Sequence, residues 1–355
     1  MRWACLTTKC TSIFFRIFVI MKKYNVGIIG YGWASEAHIE AINATSYAQV
    51  NAVYSSRKFD SAQLSGKHGS EITCYTDLDK MLANPDIHVV SICSYPYQHT
   101  SQAIAASKAG KHLIIEKPLA LSWEDCLAIQ SAVKEADVKT CVCFECRFSN
   151  QLITIKSVID RGLLGRIHYA EVDYYHGVGP WYGQYRWNTE KNAGGSSLLS
   201  AGCHALDAML FFMGTDVETV SSYSTSSANK DFAVYEYPTS SVTIMKFSDG
   251  RIGKVASVID CFQPYYFHIH LVGSEGSLLD NKFYSTQLGG LNKGKWSELT
   301  MDMLDSGDVS DHPYQTQFEA FFHALDNDRE MPLTSLSDAM HAHRVIFDAD
   351  RSSED

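Results

Sequence analysis

Short apolar runs alternate with longer amphipathic stretches over the first 145 residues. The runs at 24–29, 49–55, 88–93, 112–116 and 140–145 have the length of buried strands. Between them, 34–44, 77–83, 99–109 and 122–137 carry apolar residues at helical spacing. Stop signals agree: Asn84-Pro85 ends the second helix, Gly110 ends the third, and Ser122 offers an oxygen to cap the fourth. Strands alternating with helices predict right-handed crossovers and a parallel sheet.

After about residue 146 the rhythm changes. Helices are predicted at 150–161 and 202–212. Runs rich in Tyr, Val, Ile and Thr at 167–175, 217–225, 241–247, 252–259 and 266–272 read as strands. Ser248-Asp249-Gly250 is a hairpin signal between two of them, and helices at 314–327 and 335–350 finish the chain. This half reads as an α+β unit with an open, mostly antiparallel sheet and helices on one face.

The chain has 355 residues, enough for two domains of ordinary size. Apolar residues make up 45% and charged residues 20%, so a core can form without metal or disulfide. A formal net charge of −10 without a Lys/Arg run does not attract nucleic acid and suits small ligands of little charge. The ten cysteines form no framework of the secreted kind. Cys141, Cys143 and Cys146 are the tightest group, but no second Cys/His pair stands at zinc spacing. They read as structural thiols, no metal is expected, and free thiols suit a cytoplasmic setting.

An apolar patch at 13–20 is interrupted by Arg16. It falls short of the roughly 20 residues that cross a bilayer. Arg2 and Lys9 precede it, as in a signal peptide, but no small-residue cleavage site follows. The preferred reading takes Met21 as the start and 1–20 as a mis-called or disordered extension. No membrane association is expected.

Gly30-Tyr31-Gly32-Trp33-Ala34-Ser35 lies where the first strand meets the first helix, with Ser35 in place of a third glycine. Strand before, helix after and a second strand some 20 residues on is the context of a dinucleotide-binding turn. Gly30 permits the tight turn, Gly32 lets a pyrophosphate approach the backbone, and the helix N-terminus offers free N–H groups. Residues 21–145 are therefore read as a Rossmann domain with a parallel sheet, and 146–355 as the substrate and oligomerisation domain. The second strand ends in Val53-Tyr54-Ser55-Ser56-Arg57-Lys58, with no carboxylate to hold a ribose 2′-hydroxyl. Ser55, Ser56 and Arg57 suit a 2′-phosphate, which favours NADP over NAD; the bland alternative is a solvated loop charge.

Three segments carry a resemblance: Val26 to Gly32, Glu116-Lys117-Pro118, and Gly194-Gly195-Ser196 running through His204 to Asp207. Together they resemble the Gfo/Idh/MocA oxidoreductases, from about Lys22 to the C-terminus. The resemblance implies that Lys117 points into a cleft near nicotinamide and substrate. It implies that Cys93, Tyr95, Pro96 and His99, at and beyond the 88–93 strand, lie near the cofactor, with Glu116 in the same motif. Arg147 matches a position near the domain junction and the cleft. It also implies a homodimer or homotetramer. Similar dehydrogenases carry Asp four residues before the histidine; here that position is Ser200, which cannot supply a negative charge.

The chemistry this implies is oxidation of a sugar, glycoside or cyclitol hydroxyl, with Lys117 and His204 as candidate catalytic groups. One removes the hydroxyl proton, and the other polarises the same oxygen or a neighbouring hydroxyl. Lys117 can act as base if its pKa is lowered towards neutrality. Ser200 and His204 share a face if the helix is regular. His176, Arg186 and Trp187 lie in an aromatic stretch that suits a substrate loop, or equally a subunit interface. Redox-neutral glycoside cleavage through a transient keto-sugar and a non-catalytic cofactor-sensing protein are the competing readings.

Overall fold

The computed structural model describes residues 23–354; the expectations about residues 1–20 and Met21 fall outside them. The first layer runs β1 (Tyr24–Ile29), α1 (Trp33–Ala44), β2 (Ala48–Tyr54), α2 (Ser61–His68), β3 (Thr73–Tyr75), α3 (Leu78–Leu82), β4 (Val89–Ile92), α4 (Pro96–Lys108), β5 (His112–Ile115), α5 (Trp123–Ala136) and β6 (Thr140–Val142). Its six strands are all parallel, in the order β3-β2-β1-β4-β5-β6. This is the doubly wound arrangement the alternating pattern predicts. Strand order reverses between β1 and β4, and ligands bind at the carboxyl ends of strands at such a point.

The pattern missed α2 and β3. Only Leu64 of α2 is buried, so the helix has almost no apolar stripe to read. It is held at its ends, by the Asp60 carboxylate accepting from Gln63 N and by Gly69 in the left-handed region at φ 66°. Helix α4 begins at Pro96, ahead of the predicted His99, because proline's missing N–H costs nothing in the first turn.

The second layer follows a 3₁₀ turn at Glu145–Phe148. It contains α6 (Asn150–Asp160), β7 (Ile167–Tyr175), α7 (Tyr185–Asn188), α8 (Lys191–Gly194), a π turn at Leu198–Gly202, α9 (Cys203–Met213), β8 (Val217–Thr225), β9 (Ser240–Phe247), β10 (Ile252–Val258), β11 (Tyr266–Gly273), β12 (Gly276–Leu279), β13 (Lys282–Ser285) and β14 (Ser297–Glu298). Eight strands form one sheet, β14-β13-β12-β11-β7-β10-β9-β8, antiparallel except for the β7–β10 pair. In β9, Ser241, Thr243, Met245 and Phe247 are buried while Val242, Ile244 and Lys246 are exposed, the period of two of a half-covered sheet. The stretch Lys191–Met213 is apolar and long enough to cross a membrane by composition alone, but 89% of its most apolar window is buried. Its last part, α9, packs on β7 and β10 as a core helix.

Two helices close the chain, α10 (Tyr314–Asp326) and α11 (Leu336–Glu354). Here the structure departs from a single division at residue 146. Helix α10 packs on α1, and Phe318, Phe321 and Phe322 enter one core with Val26, Ile28 and Ile39 of the first layer. Helix α11 packs on β8, α9 and α5, bridging the two layers.

Candidate active site

The turn after β1 opens the site. Gly30 has φ +90°, and a Cβ there would lie 2.9 Å from the Ser94 backbone, so only glycine lets β1 and β4 diverge this closely. Gly32 caps α1, and a Cβ on it would meet nothing within 4 Å. The Ser35 hydroxyl folds back, donating to Gly32 O at 2.6 Å and accepting from Gly32 N at 2.9 Å. Open space before Gly32 at a helix N-terminus fits a pyrophosphate.

A cleft of about 550 Å³ runs from this turn to the second layer. Gly30 to Ala34, Ser55, Ser56, Arg57, Cys93, Tyr95, Pro96, Glu116, Lys117, Trp187 and His204 all line it, so it gathers most of the predicted residues. At the far end, Lys117 Nζ donates to Ser200 O at 3.4 Å, across the two layers. Burial opposes the Lys117 charge, but Cys203, Glu116, Tyr182 and Glu145 together hold the ammonium above the usual lysine range. The condition for a neutral lysine is therefore not met. Burial, aided by Lys117 and His312 against the pull of Glu145, lowers His204 to about 4. At neutral pH the site thus pairs an ammonium with a neutral imidazole.

Beneath them lie two buried carboxylates. Glu116 is fully engaged: Oε1 accepts from Tyr314 OH at 2.8 Å and meets His38 Nε2 at 2.7 Å, while Oε2 accepts from Lys117 N at 3.0 Å. Burial opposes its charge, but His38 outweighs that and holds Glu116 well below the usual carboxylate range. Glu145 has Oε1 2.8 Å from His312 Nδ1 and 3.8 Å from His204 Nε2. The sequence reading left His204 without an acidic neighbour because position 200 is serine; Glu145 supplies one from the turn after β6. Two buried triads, His38/Glu116/Cys143 and Glu145/Cys146/His204, have ligand atoms within 4.8 Å of one another. In the first, the histidine and carboxylate are paired with each other at 2.7 Å; in the second, burial holds the Cys146 thiol far above its ordinary pKa.

Five predicted residues do not line the cleft. His99 is buried behind it, with ring nitrogens 2.8 Å from Pro118 O and 3.1 Å from Ser94 O, so it holds the flanking loops. Arg147 is clamped, with Nε and Nη2 each donating to Asp207 at 2.7 Å and Nη1 to Asp338 at 3.2 Å. Ser200 lies in the π turn, where the i, i+4 relation of a regular helix is lost, and only its carbonyl reaches Lys117. His176 stands behind Tyr182, ring centroids 4.7 Å apart. Arg186 is exposed outside the cleft beside Trp181 and Tyr185. Conversely, Tyr174, Tyr182, His312 and Tyr314 line the cleft without having been singled out as site residues. Tyr174 and Tyr182 belong to the same aromatic stretch as His176, Arg186 and Trp187, but His312-Pro313-Tyr314 carries no motif and arrives only because α10 returns to the first layer.

Comparison with known proteins agrees with this geometry. The model of an oxidoreductase family with an NAD-binding Rossmann fold, Gfo/Idh/MocA, matches residues 24–144, and the C-terminal domain model of the same family matches 152–279. An uncharacterized oxidoreductase of Synechocystis is 28% identical over 190 residues, 53% of this chain and 51% of that protein. A myo-inositol 2-dehydrogenase of Thermotoga maritima is 24% identical over 261 residues, 74% of this chain and 76% of that protein. A levoglucosan dehydrogenase solved with NADH and levoglucosan superposes with a TM-score of 0.80 at 21% identity, covering 94% of this chain and 98% of that one. With both halves matched in order and the dinucleotide turn and Lys117–His204 cleft in place, the chain belongs to the Gfo/Idh/MocA family of oxidoreductases.

Proposed function

We propose that this chain transfers a hydride between a nicotinamide dinucleotide and a hydroxyl or ketone of a sugar, glycoside or cyclitol. The observation that carries the reading is the convergence of Lys117 and His204, from different layers, on a cleft that begins at a dinucleotide turn. A relative that is a myo-inositol 2-dehydrogenase and a fold neighbour holding NADH and levoglucosan support the substrate class.

A bound nicotinamide supplies the hydride acceptor or donor. Gly30 to Gly32 and the N-terminus of α1 hold its pyrophosphate, and Ser55, Ser56 and Arg57 receive the adenosine ribose, preferring a 2′-phosphate. His204, neutral at pH 7, takes the hydroxyl proton in the oxidation direction. Lys117 stays charged and stabilises the negative charge that develops on the same oxygen. Tyr174, Tyr182 and Trp187 offer apolar ring faces to the C–H face of a sugar.

The test is a panel of sugars, glycosides and cyclitols with NAD and NADP separately, followed by absorbance of the reduced nicotinamide. Lys117→Ala and His204→Ala should each lower kcat by about 10²-fold or more with cofactor affinity nearly intact. Full activity in Lys117→Ala would remove the lysine from the mechanism. Glycoside cleavage without added cofactor and without net reduced nicotinamide would replace the dehydrogenase reading by the redox-neutral one.

A further inference from the structure

A base as buried as His204, 3% exposed, must lose its proton before the next turnover. A chain of titratable groups leads from it to a more open residue. Glu145, itself 0% exposed, meets His204 on one side at 3.8 Å and His312 on the other at 2.8 Å. His312 is the most open of the three at 10% and lines the cleft. The two neighbouring carboxylates differ in their use: both oxygens of Glu116 are engaged, whereas Glu145 Oε2 is buried with no hydrogen-bond partner among the described residues. His204 Nδ1 and His312 Nδ1 are likewise without a well-directed hydrogen bond, so the 2.8 Å approach of His312 to Glu145 is an ion-pair distance that a small turn of the ring converts into a hydrogen bond. A saturated carboxylate holds structure; Glu145 keeps one oxygen unused between two imidazoles, whose pull outweighs burial and holds it below the usual carboxylate range, so its protonated form is only a short-lived carrier.

We propose that Glu145 and His312 form a proton relay that returns the proton taken up by His204 to solvent. The proposal rests on His204 being the base. In the oxidation direction the substrate O–H bond breaks and its proton goes to His204, while the carbinol C–H electron pair leaves as hydride for the bound nicotinamide and a carbonyl forms. His204 takes the proton at Nε2 and gives it from the same nitrogen to Glu145 as the 3.8 Å gap closes, so its tautomer is unchanged. The relay runs on the neutral Nε2–H form of His312: the carboxylic acid passes the proton to Nδ1, and the ring releases its Nε2 proton to water. Solvent exchange at His312 restores the starting tautomer, so each cycle delivers one proton to solvent. Lys117, Glu116, Cys146, Cys203 and His176 also face these three groups.

Two measurements on the full chain test the relay. The first needs no turnover: His312 is titrated by NMR in wild type and in Glu145→Gln. Burial opposes the His312 charge but Glu145 outweighs it and holds the ring above the usual histidine range. The pKa of His312 should therefore fall by about one pH unit or more in Glu145→Gln; identical titration in both proteins overturns the relay. The second uses a substrate from the panel. In His312→Gln, kcat should fall roughly tenfold or more, with KM and cofactor affinity little changed. The primary deuterium isotope effect on kcat should shrink, the solvent isotope effect should grow, and added imidazole should restore the rate. Unchanged kcat overturns the relay, and so does a slower enzyme with unmoved isotope effects and no rescue. If His312→Gln fails to bind cofactor, His312→Asn is read in the same way. Turnover surviving in His204→Ala removes the base assignment beneath the relay, whereas an inactive His204→Ala beside a fully active His312→Gln removes the relay alone.

Discussion

Arg57 shows how much a single side chain can decide in this cleft. It follows β2, where a carboxylate would read a free ribose hydroxyl, and its guanidinium donates to Tyr31 O at 2.6 Å and lies 5.2 Å from the Phe59 ring centre. That posture holds the charge at the cleft rim beside Ser55 and Ser56. A charge-assisted contact to a 2′-phosphate is worth about 1.5–3 kcal/mol, or roughly ten- to hundredfold in affinity. Arg57→Ala should therefore weaken NADP by about that factor and NAD far less. Binding titrations with each cofactor decide it, and equal losses for both would remove the contact. Ser200 teaches the complementary lesson. The missing acid four residues before His204 was plain in the chain, but its replacement was not, because nothing local links Glu145 to His204.

At the scale of elements, the 3₁₀ turn Glu145–Phe148 is the joint of the site. It carries Glu145 at one end, and Arg147 within it ties the turn to α9 through Asp207 and to α11 through Asp338. Arg147 Nη1 also donates to Leu333 O, which anchors the loop before α11. Breaking a buried pair leaves one charge unpaired and costs about 3–5 kcal/mol. Arg147→Met should thus lower the urea midpoint by that equivalent, with Asp207 left buried in apolar surroundings. A variant as stable as wild type would show the clamp to be idle and return Arg147 to the pool of ligand-binding side chains. The helical pattern at 202–212 was legible, but the π turn before it was not. Gly202 sits against Ser257 of β10, where an added Cβ would approach Ser257 Cβ to 2.4 Å, so tertiary contact shapes the turn.

At the scale of the whole molecule, the eight-stranded sheet leaves one face uncovered. Tyr223, Val242 and Ile244 are exposed on adjacent strands, with Tyr223 opposite Val242 in the β8–β9 pair, and Ile252 and Tyr266 are exposed on β10 and β11. Exposed apolar side chains on neighbouring strands, here interspersed with Lys246 and Lys254, are a candidate protein contact. The chain is expected to assemble as a homodimer or homotetramer through this face. Ile244→Asp should shift the sedimentation coefficient towards the monomer without unfolding the protein, since Ile244 is exposed within the chain. A wild-type chain that sediments as a monomer at micromolar concentration would count against the assembly.

The sequence by itself determined the parallel sheet and its dinucleotide turn, each written in local pattern: apolar period, glycine at a strand end, proline and caps at helix ends. The approach of the Glu-Lys-Pro segment to the histidine helix was implied only by the family resemblance. Only the tertiary structure decided the protonation states, because the charge of Lys117 and the neutrality of His204 arise from burial and from groups far apart in the chain. It alone brought His312 and Tyr314 onto the two carboxylates, since the return of α10 to the first layer follows from Phe318, Phe321 and Phe322 completing its core. Packing of that kind depends on which surfaces fit together, and a one-dimensional pattern does not specify it.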